Sequence, residues 1–204
     1  MADTNKILTM FLVVIICIAA VVLLYVNLPK DETTDDNTDG NTNDENDNNE
    51  TEEPITVLTL IYGNEQINYT LDEIKAMSNY TGEGGKINKK LTITGPYNYT
   101  GVKMTTFLSE LQNLPPKYSI NTTSSDGYLQ HYTYENIQGT AEKFNETRVS
   151  LGNASFTMII AYMEEGEEIT DLEDGPLMIV LVDDYYTDSG LWAKHLVSIE
   201  VIEE

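Results

Sequence analysis

Cysteine is almost missing from this chain. Among 204 residues the only one is Cys17, inside an apolar run near the N-terminus. A disulfide framework is excluded, so everything after that run must hold together by core burial. A lipidated cysteine would follow a small-residue box, whereas Ile16 precedes this one. Basic residues are also scarce. Eleven Lys and Arg stand against 34 Asp and Glu, a net charge of −23. Phosphate backbones would be repelled and no basic stripe exists, which excludes nucleic acid as a partner. Histidine is limited to His131 and His195. The C-x-x-C-H attachment of a c-type haem is absent, and no Ser-His-Asp set is assignable from spacing.

What is present begins with Ile7 to Leu28, ILTMFLVVIICIAAVVLLYVNL, without a charged residue. As a helix, this run is long enough to cross ~30 Å of hydrocarbon. It exceeds a signal-peptide core of about 7–15 residues and lacks a small-residue cleavage site. The expectation is an uncleaved transmembrane helix over 7–28, preceded by a cytoplasmic N-terminus, 1–6. Residues 29–53 hold eleven acidic residues and no aromatic. They read as a disordered acidic linker, with too little apolar area to offset chain entropy.

Lys6 and Lys30 flank the run evenly, so basic residues do not orient it. Glycosylation sequons supply the orientation. Asn68, Asn79, Asn98, Asn121, Asn145 and Asn153 each begin N-x-[ST], as does Asn49 in the linker. Ten Asn occur from residue 54 onward, and Ser and Thr make up 26 of the 151 positions there. At that composition chance supplies about two sequons, not six. The excess points to an extracytoplasmic domain on a single-pass cell-membrane protein. An accident of Asn- and Thr-rich composition is the competing reading.

Residues 54–204 suffice for one domain. Strand-like runs occur at 55–61, 90–95, 128–134, 156–163, 177–183 and 196–202. In the last, Val197, Ile199 and Val201 are expected on one face. LMIVLVD (177–183) is apolar almost throughout and reads as a central strand buried on both faces. Two short helices interrupt the strands. Thr70 to Glu73 forms a capping box ahead of Leu71, Ile74 and Met77. Met104, Phe107, Leu108 and Leu111 sit at helical spacing before Pro115-Pro116. The fold class is α+β and rich in strand.

The order of these elements carries a resemblance. A capped helix, TLDEIKAM, is followed by Tyr99-Thr100-Gly101-Val102-Lys103-Met104 and the helix TTFLSELQ. Ser125-Asp126-Gly127-Tyr128, Gly175-Pro176-Leu177 and Trp192-Ala193-Lys194-His195 come later. The succession resembles the molybdopterin-binding domain of sulfite-oxidase-type oxidoreductases, in a short form covering most of 55–202. The resemblance implies a β-rich mixed-sheet domain that cradles molybdopterin and ligates molybdenum through one cysteine. This sequence departs there, because the domain has no cysteine and a soft thiolate has no substitute in Ser or Asp. A basic residue tends to follow the family's Gly-Pro-Leu-type motif, and Met178 stands in that place. Phosphate and pterin anchoring also wants cations, which nine Lys and Arg against 22 acidic residues supply poorly.

Candidate ligand-binding residues follow from the resemblance. They are the turn Asp126, Gly127 and Tyr128, then His131, then Gly175 and Pro176. Each has a plainer reading, as a tight turn, a surface histidine and a loop end. No catalytic residue is assigned. The acidic set from Glu164 to Asp174, with Asp183, Asp184 and Asp188, offers the hard oxygens that Ca²⁺ takes. No D-x-[DN]-x-[DN]-G loop is present, so a solvated acidic loop is the simpler reading and no metal is expected. Twelve of thirteen tyrosines lie after residue 54, on strand faces or on a sugar- or partner-binding surface. The functional expectation is a membrane-anchored, non-catalytic ligand- or partner-binding module with no cofactor and an unknown extracytoplasmic partner. The alternative is a molybdopterin-dependent oxidoreductase, or a cofactor-binding partner of one.

Overall fold

Strands such as Thr56–Tyr62 and Tyr118–Ser124 alternate buried with less buried positions, whereas Thr157–Glu164 and Met178–Val182 are buried along most of their length. The structure, a computed structural model, describes residues 54–169, 175–183 and 185–204. The expected membrane helix 7–28, the linker 29–53 with Asn49, and the acidic positions 170–174 and 184 lie outside the described residues. No helix among those described is long and apolar enough to cross a membrane. Residues 51–204 make up one unit by their internal contacts.

The first sheet has five strands. β1 (Thr56–Tyr62) turns at Gly63 into β2 (Glu65–Thr70), antiparallel to it. The last strand, β13 (Leu196–Glu203), runs parallel to β1 and antiparallel to β5 (Tyr118–Ser124). β6 (Leu129–Tyr132) closes the order β2-β1-β13-β5-β6. Leu58, Leu60, Ile120 and Ile199 are fully buried beneath it. A register shift between Leu196 and Ser198 alters the expected face of β13. Leu196, Ile199 and Val201 enter the core, while Val197 stays half-buried. One bulged residue is enough to move a side chain across the pleat.

The second sheet is built on β3 (Asn79–Ile87), β4 (Ile93–Lys103) and β9 (Thr157–Glu164). The two-residue β10 (Glu167–Glu168) lies at one end. β12 (Tyr186–Asp188), β7 (Thr140–Phe144) and β8 (Ser150–Ser155) complete the order β10-β9-β4-β3-β12-β7-β8. β12 is parallel to β3; the other neighbours are antiparallel. β11 (Met178–Val182) is buried along its whole length, as its sequence predicts, but it is not a central strand. It pairs only with β9. Its outer edge is occupied by the segment before β13: Ile179 N–H donates to Ala193 O at 2.7 Å, and Leu196 N–H donates to Leu177 O at 3.0 Å. A loop therefore supplies the cover that a second strand would have given.

The helices are short. α1 (Leu71–Ala76) starts at the capping box read from sequence: Glu73 N–H donates to Thr70 Oγ1, and the Glu73 carboxylate accepts from Thr70 N–H at 2.8 Å. α2 (Met104–Leu108) ends three residues early, yet Leu111 remains buried beside it. α3 (Tyr134–Ile137) takes over the end of the expected strand 128–134, because Thr133 and Asn136 form a second capping box. The expected strand 90–95 is displaced as well. Asn88 Oδ1 accepts from the N–H groups of Lys90 and Thr92 and makes those residues a turn, so β4 begins only at Ile93. The observed architecture is a mixed-sheet, β-rich domain.

Candidate ligand-binding cleft

An open cleft of about 520 Å³ lies where β3, β4 and β12 meet. Glu83 and Gly85 of β3 line it, with Pro96 of β4, Glu146 from the β7–β8 turn, and Asp183, Tyr185 and Tyr186 around the start of β12. Its shape follows from glycine at position 85. Tyr186 pairs with Gly85 in the β12–β3 register. A Cβ there would stand 2.7 Å from Cδ1 and 2.8 Å from Cε1 of the Tyr186 ring. Only a bare backbone lets the ring lie against β3. Tyr185 meets Tyr186 edge to face, with centroids 6.1 Å apart and planes at 89°. The two rings form an aromatic corner.

Asp183 is held on the other side. Its backbone is left-handed, φ 85°, a conformation that favours glycine and that Asp tolerates better than most. Its N–H donates to Glu83 O at 2.9 Å, and Tyr80 donates its hydroxyl to Oδ2 at 2.7 Å. That bond raises the Tyr80 phenol above its ordinary pKa. Gly82 leaves the room needed, since a Cβ there would sit 2.5 Å from Asp183 Oδ1. Glu146 is carried by a turn that Arg148 pins down. The Arg148 guanidinium donates to Ile87 O at 3.0 Å, pairs with Asp188 and stacks on Phe144. Burial alone would raise the Asp188 carboxyl. The Gly190 N–H and Arg148 outweigh it and hold the group below the usual carboxylate range.

Beside the cleft, Gly84 packs against β11, and Lys86 lies over Trp192 with Nζ 4.8 Å from the ring centroid. Burial, then the charge of Lys194, lowers the Lys86 ammonium from its ordinary value. Trp192 donates Nε1–H to Thr187 Oγ1 at 2.7 Å and meets Tyr99 edge to face at 5.4 Å. Burial pushes the Tyr99 phenol up, with Glu164 adding to the effect. This packed cluster backs the strands that shape the cleft.

The residues singled out from sequence lie elsewhere. Asp126 Oδ1 accepts from Tyr128 N–H at 2.9 Å, and Gly127 has φ 83°, so this segment is a closed Asx-type turn. Ser125 N–H donates to His195 O at 2.8 Å. Gly175, φ 107°, approaches the same residue: a Cβ on it would lie 3.7 Å from His195 Cα. The turn and the Gly175-Pro176 loop thus both abut residue 195. His131 sits on the exposed face of β6, its Nδ1 2.9 Å from Asn121 Oδ1. None of these six residues lines the 520 Å³ cleft. Among the described residues no group of three or more His, Cys, Asp or Glu could hold a metal ion. Asn68, Asn79, Asn98 and Asn153 are exposed; Asn121 and Asn145 are half-buried.

Sequence reading named Asp183 only as part of an acidic set and passed over Glu83, Gly85, Pro96, Glu146, Tyr185 and Tyr186. Two local signals were there to find. Gly82-Glu83-Gly84-Gly85 interrupts a strand with three glycines, a mark of close backbone approach. Asp183 to Tyr186 reads DDYY directly after an apolar strand.

No family model matches the chain, and no curated protein does. Among solved structures it is similar to the sulfane dehydrogenase SoxCD from Paracoccus pantotrophus, with a TM-score of 0.54 at 12% identity. The similarity covers 72% of this chain and 38% of that one. At this identity the likeness is one of fold alone.

Proposed function

We propose that this chain is a membrane-anchored, extracytoplasmic binding module on a sulfite-oxidase-type molybdopterin-domain fold, and that it is non-catalytic. The fold likeness to a sulfane dehydrogenase supports the scaffold. One observation carries the functional half: no cysteine occurs anywhere in 54–204. Molybdopterin does not fit the residues present. There is no thiolate to hold molybdenum, and the ionisable groups lining the cleft include three carboxylates, which repel an anionic phosphate-bearing cofactor. The cleft's own shape is set by glycine at position 85 and by the β3–β12 register, not by a metal ligand. Anchoring is supported by the 22-residue apolar run, and the outward orientation by the six sequons.

The second reading, an oxidoreductase or a partner of one, is favoured by the name of the similar structure. Metal and pterin content of the full chain, purified in detergent from cells that make the cofactor, separates the two. The binding reading expects no stoichiometric molybdenum. Near-unit molybdenum with pterin fluorescence would overturn it. For topology, carbonate washing should leave the chain in the membrane fraction, and protease added to intact cells should remove the domain. A soluble product beginning near Pro29 would refute the anchor.

A further inference from the structure

The aromatic corner and the sign of the charge around it narrow the ligand. We propose that the cleft binds an organic cation, an alkylammonium or guanidinium group, with its charge against the Tyr185–Tyr186 corner and the carboxylates of Glu83, Glu146 and Asp183 around it. This rests on the binding-module reading above and extends it to a ligand class.

Size comes first. About 520 Å³ is within the range of small-molecule sites and far exceeds a bare metal ion. The absence of a three-ligand cluster among the described residues agrees with that. Shape is next. Tyr185 and Tyr186 both line the cleft, with their ring planes at 89°. A ring face attracts a cation within ~6 Å of its centroid, most strongly where water is displaced, and perpendicular rings are the walls of ammonium-binding cages. Tyr186 is held there by Gly85, so one wall is already in place without a ligand. Charge is third. The described lining residues include three carboxylates and no Lys, Arg or His. Asp183 is positioned by Tyr80 and by its own bond to Glu83 O, in a backbone conformation that Asp adopts at a cost. An anion would meet only repulsion. Carboxylates and phenols also hydrogen-bond sugar hydroxyls, but a neutral sugar leaves the three negative charges uncompensated, whereas a cation does not. The cation has two sources, a free small amine or quaternary ammonium, and the Lys or Arg side chain of a partner protein.

The test is calorimetric titration of the full chain in detergent at physiological salt, where the Debye length is about 8 Å and diffuse attraction to the acidic chain is damped. The probes are choline, its neutral isostere 3,3-dimethylbutan-1-ol, and the tripeptides Gly-Lys-Gly and Gly-Arg-Gly with blocked ends. Saturable binding of choline or of a tripeptide, with none of the isostere, is the expected result. Choline alone assigns the source to a small molecule; a tripeptide alone assigns it to a partner side chain. Tyr185→Ala and the pair Glu83→Gln/Glu146→Gln should each weaken binding by about tenfold. Glu65→Gln on β2, in the other sheet, should stay within about twofold. These positions are exposed, and unchanged far-UV circular dichroism checks that the variants fold. The proposal is overturned if the isostere binds as well as choline, if no probe binds saturably, or if the cleft variants bind like the parent. A molybdenum-free chain that binds no cation defeats this proposal alone; a molybdenum-bearing chain defeats the reading beneath it.

Discussion

Replacing Trp192 with Phe tests the packed cluster that backs the cleft. Trp192 is the only tryptophan and is 5% exposed, and its Nε1–H bonds the hydroxyl of Thr187, which is 0% exposed. The substitution removes that bond, worth about 1 kcal/mol, and strands a buried oxygen. It also weakens the edge-to-face contact with Tyr99 and the Lys86 contact, by roughly 0.5 kcal/mol each. Loss of part of the ring leaves a gap costing about 1–2 kcal/mol. The total is roughly 3–4 kcal/mol, which at about 2–4 °C per kcal/mol for a domain of this size lowers Tm by about 10 °C. Thr187→Val by itself leaves the indole N–H unpaired and costs about 1–3 kcal/mol. In the double variant neither polar atom is stranded, so its loss should fall below the sum of the singles by about 1–2 kcal/mol. Urea unfolding of fragment 51–204, followed by far-UV circular dichroism because the substitution removes the indole, measures all three. A Trp192→Phe loss under about 1 kcal/mol, or singles that simply add, would refute the argument.

Gly101→Ala should destabilise far more than Gly63→Ala. A Cβ on Gly101 runs into the Ile160 carbonyl across β4 and β9, whereas Gly63 has open space and only a left-handed φ of 59° to oppose it, a cost of about 1 kcal/mol; urea midpoints give the ranking. Acid should weaken the domain through Asp188. Its folded pKa is depressed, so its contribution is complete above the unfolded value near 3.8 and is lost as pH falls through the lower folded value. Arg148→Ala should flatten stability against pH in that interval. Lys86 gives a slope of the same sign in an alkaline window, because its charged form is disfavoured by burial. Its ammonium is depressed, so the unfolded chain binds more protons just below 10.5 and stability rises with pH toward that value. The raised phenol of Tyr99 opposes it in the same window, so the check is a difference: stability of Lys86→Met should fall more steeply with pH than that of the parent in alkaline urea titrations.

The parts legible in the sequence are those whose signal is local. The Thr70–Glu73 capping box lies within four residues and appears as expected. The apolar run 177–183 foretold full burial, because no polar side chain in 177–182 needs water. What failed depended on partners distant in the chain. β11 looked central, yet its second edge is closed by Ala193 and Leu196, which only the tertiary fold brings near. β3 (NYTGEGGKI) carries three glycines, which lower strand propensity, and it forms because β4 and β12 flank it. The short β12 is polar and depends on β3 and β7 in the same way. The cleft was illegible for the same reason. Glu83, Pro96, Glu146 and Tyr186 are spread over a hundred positions, and no local motif joins them. The Asp126–Tyr128 turn, by contrast, stands out in sequence because a turn is a local object.

Fold and ligand sign are separable in this protein, and the residues show how. The strands around the cleft are held by backbone ladders, by Gly82, Gly84 and Gly85, and by the packed Trp192 cluster. None of these elements requires charge of a given sign in the space they enclose. The lining side chains do carry a sign: Glu83 projects from within β3, Glu146 from the β7–β8 turn and Asp183 from the loop after β11. A scaffold similar to that of a sulfane dehydrogenase can therefore keep its shape while its cleft repels phosphate and favours ammonium. The domain has an excess of 13 acidic residues, which acts in the same direction at long range. That field is screened beyond about 8 Å at physiological salt, so it influences encounter more than choice. Discrimination falls to contacts inside the cleft, where a ring face and a carboxylate act within a few ångströms and water is thinned. Gly85 bears no charge, yet it decides whether the Tyr186 wall exists, since a Cβ there would stand 2.7 Å from the ring.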